Sequence, residues 1–519
     1  MSKSRRKKLA NRKRRIQYRL RHRNWAPQDK PMLTASNIQY ELSGRTRGLG
    51  VGGIGVMHRL AGQTGLIPAI DEALHVLKVH LPYHESDHVI NVAYNALSGG
   101  TCLEDLELRR NDEVYLDALG AQRIPDPTTA GDFCRRFSER DVETLMDTIN
   151  EVRLGVWARP PAPFFERAII DADGTLATTT GECKQQMDIN YKGEWGYHPL
   201  LVSLANTGEP LYLVNRSGNR PSHEGAAGRF DQAIALCERA GFKKILLRGD
   251  TDFSQTAHLD RGDAAGVAFG LPPWSLSLFG IDAMGNLIQN AEDLPETVWI
   301  PLHRRAKYTV RTELRARPDN VKEAIVRQRE FKNIRLQSEP VASFAYRPTA
   351  CRKSYRVGVV RKNLSVEKGE DVLFEDIRYF FYITNDVQTL PEEIVFLANG
   401  RCNQENLIAQ LKHGVHALPA PVDTLVSNWA YMVMASLAWT LKAWLALILP
   451  ETGRWKDKHQ AEKHKGLTME FKTFVNAFIR VPCPIVRQGR RIVYRLLAWN
   501  PWQHVFLRAV DALRHPMRC

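Results

Sequence analysis

The chain has 519 residues, 44% hydrophobic and 25% charged. That is ordinary globular usage, room for roughly two to four domains, and it excludes a mostly disordered, collagenous or coiled-coil protein. Lys plus Arg number 72 against 57 Asp plus Glu, a formal charge of +15, which points to a polyanionic partner.

Eight cysteines, from Cys102 to Cys519, are scattered without a CxxC pair. They are too sparse for a disulfide framework and lack the spacing of a structural zinc site, so reduced thiols in a cytoplasmic protein are expected.

Residues 1–24 read MSKSRRKKLANRKRRIQYRLRHRN, with twelve Lys or Arg and no acid. No apolar stretch follows, so the segment is not a secretory signal. Like charges repel, and an extended tail that meets phosphate is expected. A solubilising tail or an organellar or nuclear address is the plainer alternative.

Residues 50–155 have helical rhythm: Val89, Val92, Ala93, Ala96 and Leu97 recur at three- and four-residue spacing. Pro160, Pro161 and Pro163 then mark a linker. The rhythm changes after it. Ala168-Ile169-Ile170 is a short apolar run ending in Asp171-Ala172-Asp173-Gly174-Thr175. Segments 198–205 and 211–215, joined by the Thr207-Gly208 turn, predict a hairpin. Residues 225–240 read as a helix closed by Gly241. Lys244-Ile245-Leu246-Leu247 is a fourth strand leading into Arg248-Gly249-Asp250-Thr251-Asp252-Phe253. The order of three strands, helix and strand is that of an α/β, RNase H-like core. A right-handed crossover would set the fourth strand beside the first, bringing their terminal acids to one sheet edge.

Residues 290–385 carry VWIPL, YTVRTEL, KNIRLQ, SYRVGVV and IRYFFYIT between polar turns, read as a β-rich insertion. Residues 394–416 and 421–449 then read as long helices. The run from Trp429 to Leu449 is long enough to span a bilayer. Lys442 interrupts it and Ser436 and Thr440 dilute it, so a buried core helix is expected and no membrane partner. CPIVRQGRRIVYRLLAW predicts a basic hairpin around Gln488-Gly489. The expected organisation is a basic disordered tail (1–25), a helical DNA-binding domain (26–160), the first part of the core (161–285), the insertion (286–388), the second part of the core (389–450) and a C-terminal basic region (451–519).

Three acidic positions carry the chemistry: Asp171/Asp173, Asp250/Asp252 and Glu405. Hard Mg²⁺ or Mn²⁺ prefers oxygen ligands, and a two-metal phosphoryl-transfer site needs clustered carboxylates. Asp171 and Asp173 are two apart, hence on one face of a strand. Arg401, Glu405 and Lys412 form one stripe on a helix, opposite Leu407, Ile408, Leu411 and Val415. Taken singly, each acid is equally an ordinary turn former, or a surface ion pair worth about 0.3–0.5 kcal/mol.

Together these residues match a pattern. The sequence resembles DDE transposases of bacterial insertion sequences, in the group named after insertion sequence 1380, within the insertion sequence 4 superfamily. The family's Asp-x-Asp-x-Thr strand is matched by Asp171 to Thr175, and its Gly-Tyr-x-Pro-Leu by Gly196 to Leu200. Its Arg-x-Gly-Asn is matched by Arg216 to Asn219, and its second-acid motif by Arg248, Asp250 and Phe253, with Thr251-Asp252 replacing the usual small pair. Arg401, Glu405 and Lys412 fit its Tyr-x-x-Arg-x-x-x-Glu-x-x-x-x-x-x-Lys signature; Ala398 stands where Tyr is expected, so a Tyr–DNA contact does not carry over. The resemblance covers roughly 50–450.

The resemblance implies a catalytic and metal-binding triad of Asp173, Asp250 and Glu405 with two Mg²⁺ or Mn²⁺ ions. Asp171 is the alternative first ligand, and Asp252 the lesser candidate for the second. It implies DNA contacts from Arg401 and Lys412, with Arg216, Arg248 and His223 as helpers or core hydrogen-bonders. The hairpin arginines Arg487, Arg490, Arg491 and Arg495 are candidate backbone contacts. Trp274 and Trp299 are candidate stacking residues or core aromatics. The implied partners are terminal inverted repeats, target DNA and a second copy of the chain in a synaptic dimer, in the bacterial cytoplasm at the nucleoid. A nuclease without strand transfer, an inactive domesticated DNA-binding protein and a basic RNA-binding protein are the competing readings.

Overall fold

The computed structural model describes residues 3–21, 38–40, 47–80, 82–181, 183–254, 259–260, 275–304, 325, 328–329, 332–368, 371–451, 453–488, 491–497 and 499–514. Arg490, Trp274 and the YTVRTEL segment lie outside the described residues.

A large mixed sheet organises the chain. Its centre is β1 (Ala168–Gly174), β2 (Leu200–Leu204), β3 (Glu209–Val214), β4 (Ile245–Gly249) and β5 (Ser275–Ile281). β1 pairs antiparallel with β2, and β2 with β3. Helix α2 (Ala226–Ala240) follows β3 and stops at Gly241, whose φ of 93° suits a residue without Cβ. The chain then returns in β4, parallel to β1 with Asp171 opposite Arg248. This is the arrangement the strand–helix order predicts. All five β4 residues are buried, as befits a strand covered on both faces.

β5 is parallel to β4 and is not evident in the sequence, where its Ser-Leu-Ser-Leu alternation carries few strongly strand-forming residues. The later strands continue the same sheet: β6 (Lys332–Ser338), β7 (Pro340–Tyr346), β8 (Tyr355–Lys368) and β9 (Asp371–Thr384). β9 pairs antiparallel with β5, setting Phe381 opposite Ile281. β8 bridges β9, β7 and β6.

The single helix expected over 394–416 is divided. α3 (Pro391–Asn399) ends at Gly400, α4 (Cys402–Ala409) starts after Arg401, and 410–414 widens into a π-helical turn. A Cβ on Gly400 would collide with the Arg248 guanidinium, so glycine at the break lets that side chain reach the α3 terminus.

α5 (Leu425–Leu447) is capped by Thr424, whose hydroxyl accepts from the Ser427 N–H. It is apolar and long enough to cross a membrane, and its apolar window is wholly buried, as a core helix requires. Its three indoles bind the β2–β3 hairpin: Trp429 donates to Leu213 O, Trp439 to Gly208 O at 2.7 Å and Trp444 to Glu209 Oε1 at 2.8 Å. Fully buried Glu209 also accepts from Arg153 Nε at 3.0 Å and Trp157 Nε1 at 2.9 Å. The helix thereby joins the sheet to the helical layer that contains Arg153 and Trp157.

The basic N-terminal segment is not extended. Lys3–Arg21 forms α1. Lys, Arg, Leu, Ala and Gln are good helix formers. Half-buried Leu9 and Ile16 fall on one face, and Arg5 reaches Asp511 at 3.4 Å. The C-terminal hairpin forms as expected, Cys483–Gln488 against Arg491–Tyr494. It pairs with Gly48–Leu49, and Tyr494 donates to Ala118 O at 2.7 Å, so the C-terminal region packs into the N-terminal helical layer.

Candidate active site

β1 and β4 run parallel and end at the same edge of the sheet. Asp173 stands near the end of β1, 8% exposed. Asp250 follows β4 directly and caps the 251–253 turn, accepting from Asp252 N at 3.1 Å. Asp252 itself is exposed. α4 lies across β2 and β1 because Gln404 is buried there. Its amide donates to Leu201 O at 3.1 Å and its carbonyl accepts from Ser203 Oγ at 2.5 Å. This fixes the turn of helix that carries Glu405 outward.

One guanidinium gathers the three acids. Arg401 Nη1 lies 3.3 Å from Asp173 Oδ2 and 3.9 Å from Asp250 Oδ2; Nη2 lies 3.4 Å from Glu405 Oε1. Burial pushes the Asp173 carboxyl up to about 7, the Asp250 charge adding to the shift and Arg401 opposing it. Burial raises Asp250 as well. Among the described residues no three acid, imidazole or thiol side chains stand close enough to hold an ion as placed; Arg401 reaches each of the three acids. The donor set is nonetheless all carboxylate oxygen, which suits a hard divalent cation, and Asp173 is a buried acid with a neighbouring like charge to neutralise.

Asp171 does something else. Arg248 Nε and Nη2 donate to its two carboxylate oxygens, both at 2.7 Å, and Arg248 Nη1 donates to Leu397 O at 2.8 Å. Asp171 is 1% exposed and Arg248 4%. The alternative of Asp171 as a metal ligand is therefore corrected: each of its oxygens accepts from the Arg248 guanidinium, and the pair is enclosed. The DNA-contact role for Arg248 is corrected for the same reason, since the side chain is enclosed and ties β1, β4 and α3 together. Arg216 is likewise occupied. Its Nε donates to His198 O at 2.9 Å, and its Nη1 donates to the carbonyls of Pro221, Ser222 and Glu224, organising the loop before α2. His223 lies in that loop, its carbonyl accepting from Ala226 N.

The family model for Transposase DDE domain group 1 matches residues 31–518, nearly the whole chain. The chain belongs to that family. It is a DDE-type transposase by descent, of a class that cleaves DNA for transposition and uses divalent metals. The chain is also similar to a solved structure described as the cryo-EM structure of a piggyBac transposase synaptic complex with hairpin DNA. Identity is 11% and the TM-score 0.33, over 82% of this chain and 81% of that one. No curated protein matches the sequence.

In this DDE transposase the remaining predicted residues divide by exposure. Lys412 sits on the π-helical turn, half-buried; burial lowers its ammonium, with Lys192 adding to that and Glu194 and Asp173 opposing. π-turns are frequent at functional positions. Arg487 pairs with Asp117 at 2.6 Å. Arg491 and Arg495 are exposed and face α1 across a cleft of about 1420 Å³ that Arg5, Arg12 and Arg59 also line. Trp299 is a core aromatic, 9% exposed beneath the Arg361 guanidinium. Gln404 and His198 are site-building residues that the sequence reading passed over. His198 Nδ1 hydrogen-bonds Arg220 O at 2.5 Å, and its other ring nitrogen lies over Gly174, one residue past Asp173. The signal for Gln404 was its phase: it shares the buried face of Leu407, Ile408 and Leu411.

Proposed function

We propose that this DDE transposase belongs to the insertion sequence 1380 group, cuts the ends of its own element and joins them to target DNA. The observation that carries the reading is Arg401, which meets carboxylates from three distant stretches of the chain at one sheet edge.

In this reading β1 to β5 with α2 are an RNase H-like core, β6 to β9 its insertion, and the helical layer the DNA-binding domain. Asp173, Asp250 and Glu405 would hold two Mg²⁺ or Mn²⁺ ions. When bound, such ions activate the attacking oxygen and stabilise the leaving one. Asp173 and Asp250 are rigidly placed because they end paired strands, and Gln404 sets the position of Glu405. Water is the first nucleophile on the scissile phosphodiester; the 3′-hydroxyl so released attacks either the opposite strand or target DNA. No covalent enzyme intermediate is needed. Arg401 and Lys412 neutralise phosphate charge at the cut. Arg490 and Arg491 contact the DNA backbone. Two copies act together on the paired element ends.

The test uses labelled element ends, a target plasmid and Mg²⁺. Joined products support the reading. Cut ends without joining favour an RNase H-like nuclease. End binding with no cleavage, identical in wild type and Asp250→Ala, favours an inactive DNA-binding protein.

A further inference from the structure

Three residues past Gly174 the chain enters a small sheet beyond the acid edge, made of Ala177–Thr178, Asp188–Ile189 and Trp195–Tyr197. The last of these strands leads directly into β2. The sheet is thus joined to β1, which carries Asp173, and to β2, its antiparallel partner. Its tip is tightly built. Asn190 Oδ1 accepts from Lys192 N at 2.8 Å and Glu194 N at 3.1 Å, and Gly193 takes a φ of 80° that favours glycine.

This ordered tip displays apolar rings to water. Tyr191 is 84% exposed and Trp195 50%, with Ile189 paired across the strands from Trp195. The Lys192 ammonium lies 5.5 Å from the Tyr191 ring centre. Trp195 also walls a groove of about 1110 Å³ with Thr178, Thr179, Lys184 and Pro419. The tip is tied to the acid edge by pairing: Ala177 and Thr178, just past Gly174, pair with Tyr197 and Gly196. Rigid aromatic rings beside cations are the surface that a nucleobase with its phosphate fits: the ring offers a stacking face and the lysines offer charge.

We propose that Tyr191 and Trp195 form a stacking platform for an unpaired base of the DNA end held at the acids. The proposal rests on the transposase reading for which DNA end is held, and the platform itself is tested without any cleavage. Full-length protein is compared with Tyr191→Ala/Trp195→Ala and Tyr191→Phe/Trp195→Phe for binding to a short single-stranded oligothymidine and to a blunt duplex. The alanine pair should bind the single strand about tenfold more weakly, while the phenylalanine pair stays within about twofold of wild type. Duplex affinity and melting temperature should not change.

Unaltered oligothymidine affinity in the alanine pair overturns the platform. So does unaltered affinity joined to a smaller particle in light scattering, which assigns the face to a second copy of the chain. A wild type that never joins DNA, while the alanine pair still loses the single strand, supports the platform and overturns the transposase reading alone.

Discussion

Arg401 and Asp173 are 228 positions apart in the chain and 3.3 Å apart in space. The same guanidinium reaches Asp250 and Glu405, so it holds together acids that otherwise repel. Any divalent ion that these carboxylates bind competes with it. Arg401→Ala should therefore lower end cleavage by about tenfold or more, by losing a charge that serves the phosphate. In the absence of DNA, Mn²⁺ should raise the melting temperature of the variant more than that of wild type at mildly alkaline pH, where the carboxyls are ionised. Equal Mn²⁺ shifts and equal cleavage would show that Arg401 is idle.

Glu405 is the most exposed of the three acids, its side chain 61% accessible, and its ion pair with Arg401 is a half-exposed one of small worth to the fold. Glu405→Gln keeps the shape and removes the anion. Cleavage should fall by roughly 100-fold or more while affinity for element ends stays at the wild-type value. Gel-shift and cleavage measured on one preparation decide this, and retained cutting would move the third acid elsewhere.

The core was legible where apolar runs end in Asp or Gly. β1, the β2–β3 hairpin, α2 and β4 could each be read from such boundaries. The order of Asp171 and Asp173 could not, because residues two apart share a face and only the partner strand's Arg248 separates their roles. The break at Gly400 was hidden for a similar reason. The apolar rhythm continues across it, and the cause is a guanidinium from β4 that no local pattern reports. α1 is hidden by its run of like charge; the helical signal is Leu9 and Ile16, seven apart and thus on one helix face.

The Asp171–Arg248 pair yields a test that separates structure from DNA contact. Both groups are enclosed, and removing one leaves the other buried without its counter-charge, at a cost of about 3–5 kcal/mol. Arg248→Ala should lower the melting temperature strongly. Its folded fraction at low temperature should bind blunt duplex as wild type does. A stable variant with weakened duplex binding would restore Arg248 as a phosphate contact.

α1 presents exposed Lys7, Lys13, Arg14, Arg15 and Arg19 to solvent beside the cleft that Arg491 and Arg495 line. Basic side chains that meet phosphate release counterions, so affinity falls with salt in proportion to their number. Deleting residues 1–24 should weaken non-specific duplex binding and flatten the plot of log affinity against log salt. An unchanged slope would mean that α1 faces something other than DNA.

Lys442 is fully buried in α5. Its ammonium donates to Leu467 O at 2.7 Å and sits 3.8 Å from the Trp439 ring centre. No carboxylate pairs with it among the described residues, and burial pulls it down to about 7. In the unfolded chain it titrates near the ordinary lysine value of about 10.4. Between those two values the unfolded state holds a proton that the folded state lacks, so stability rises with pH there; below about 7 both states are protonated and the contribution is flat. Each unit in that window is worth up to about 1.4 kcal/mol from this group. Denaturant melts at neutral and mildly alkaline pH should show the rise in wild type and a flatter dependence in Lys442→Met, which cannot titrate. Parallel pH dependences in the two proteins would mean that the buried amine keeps its charge.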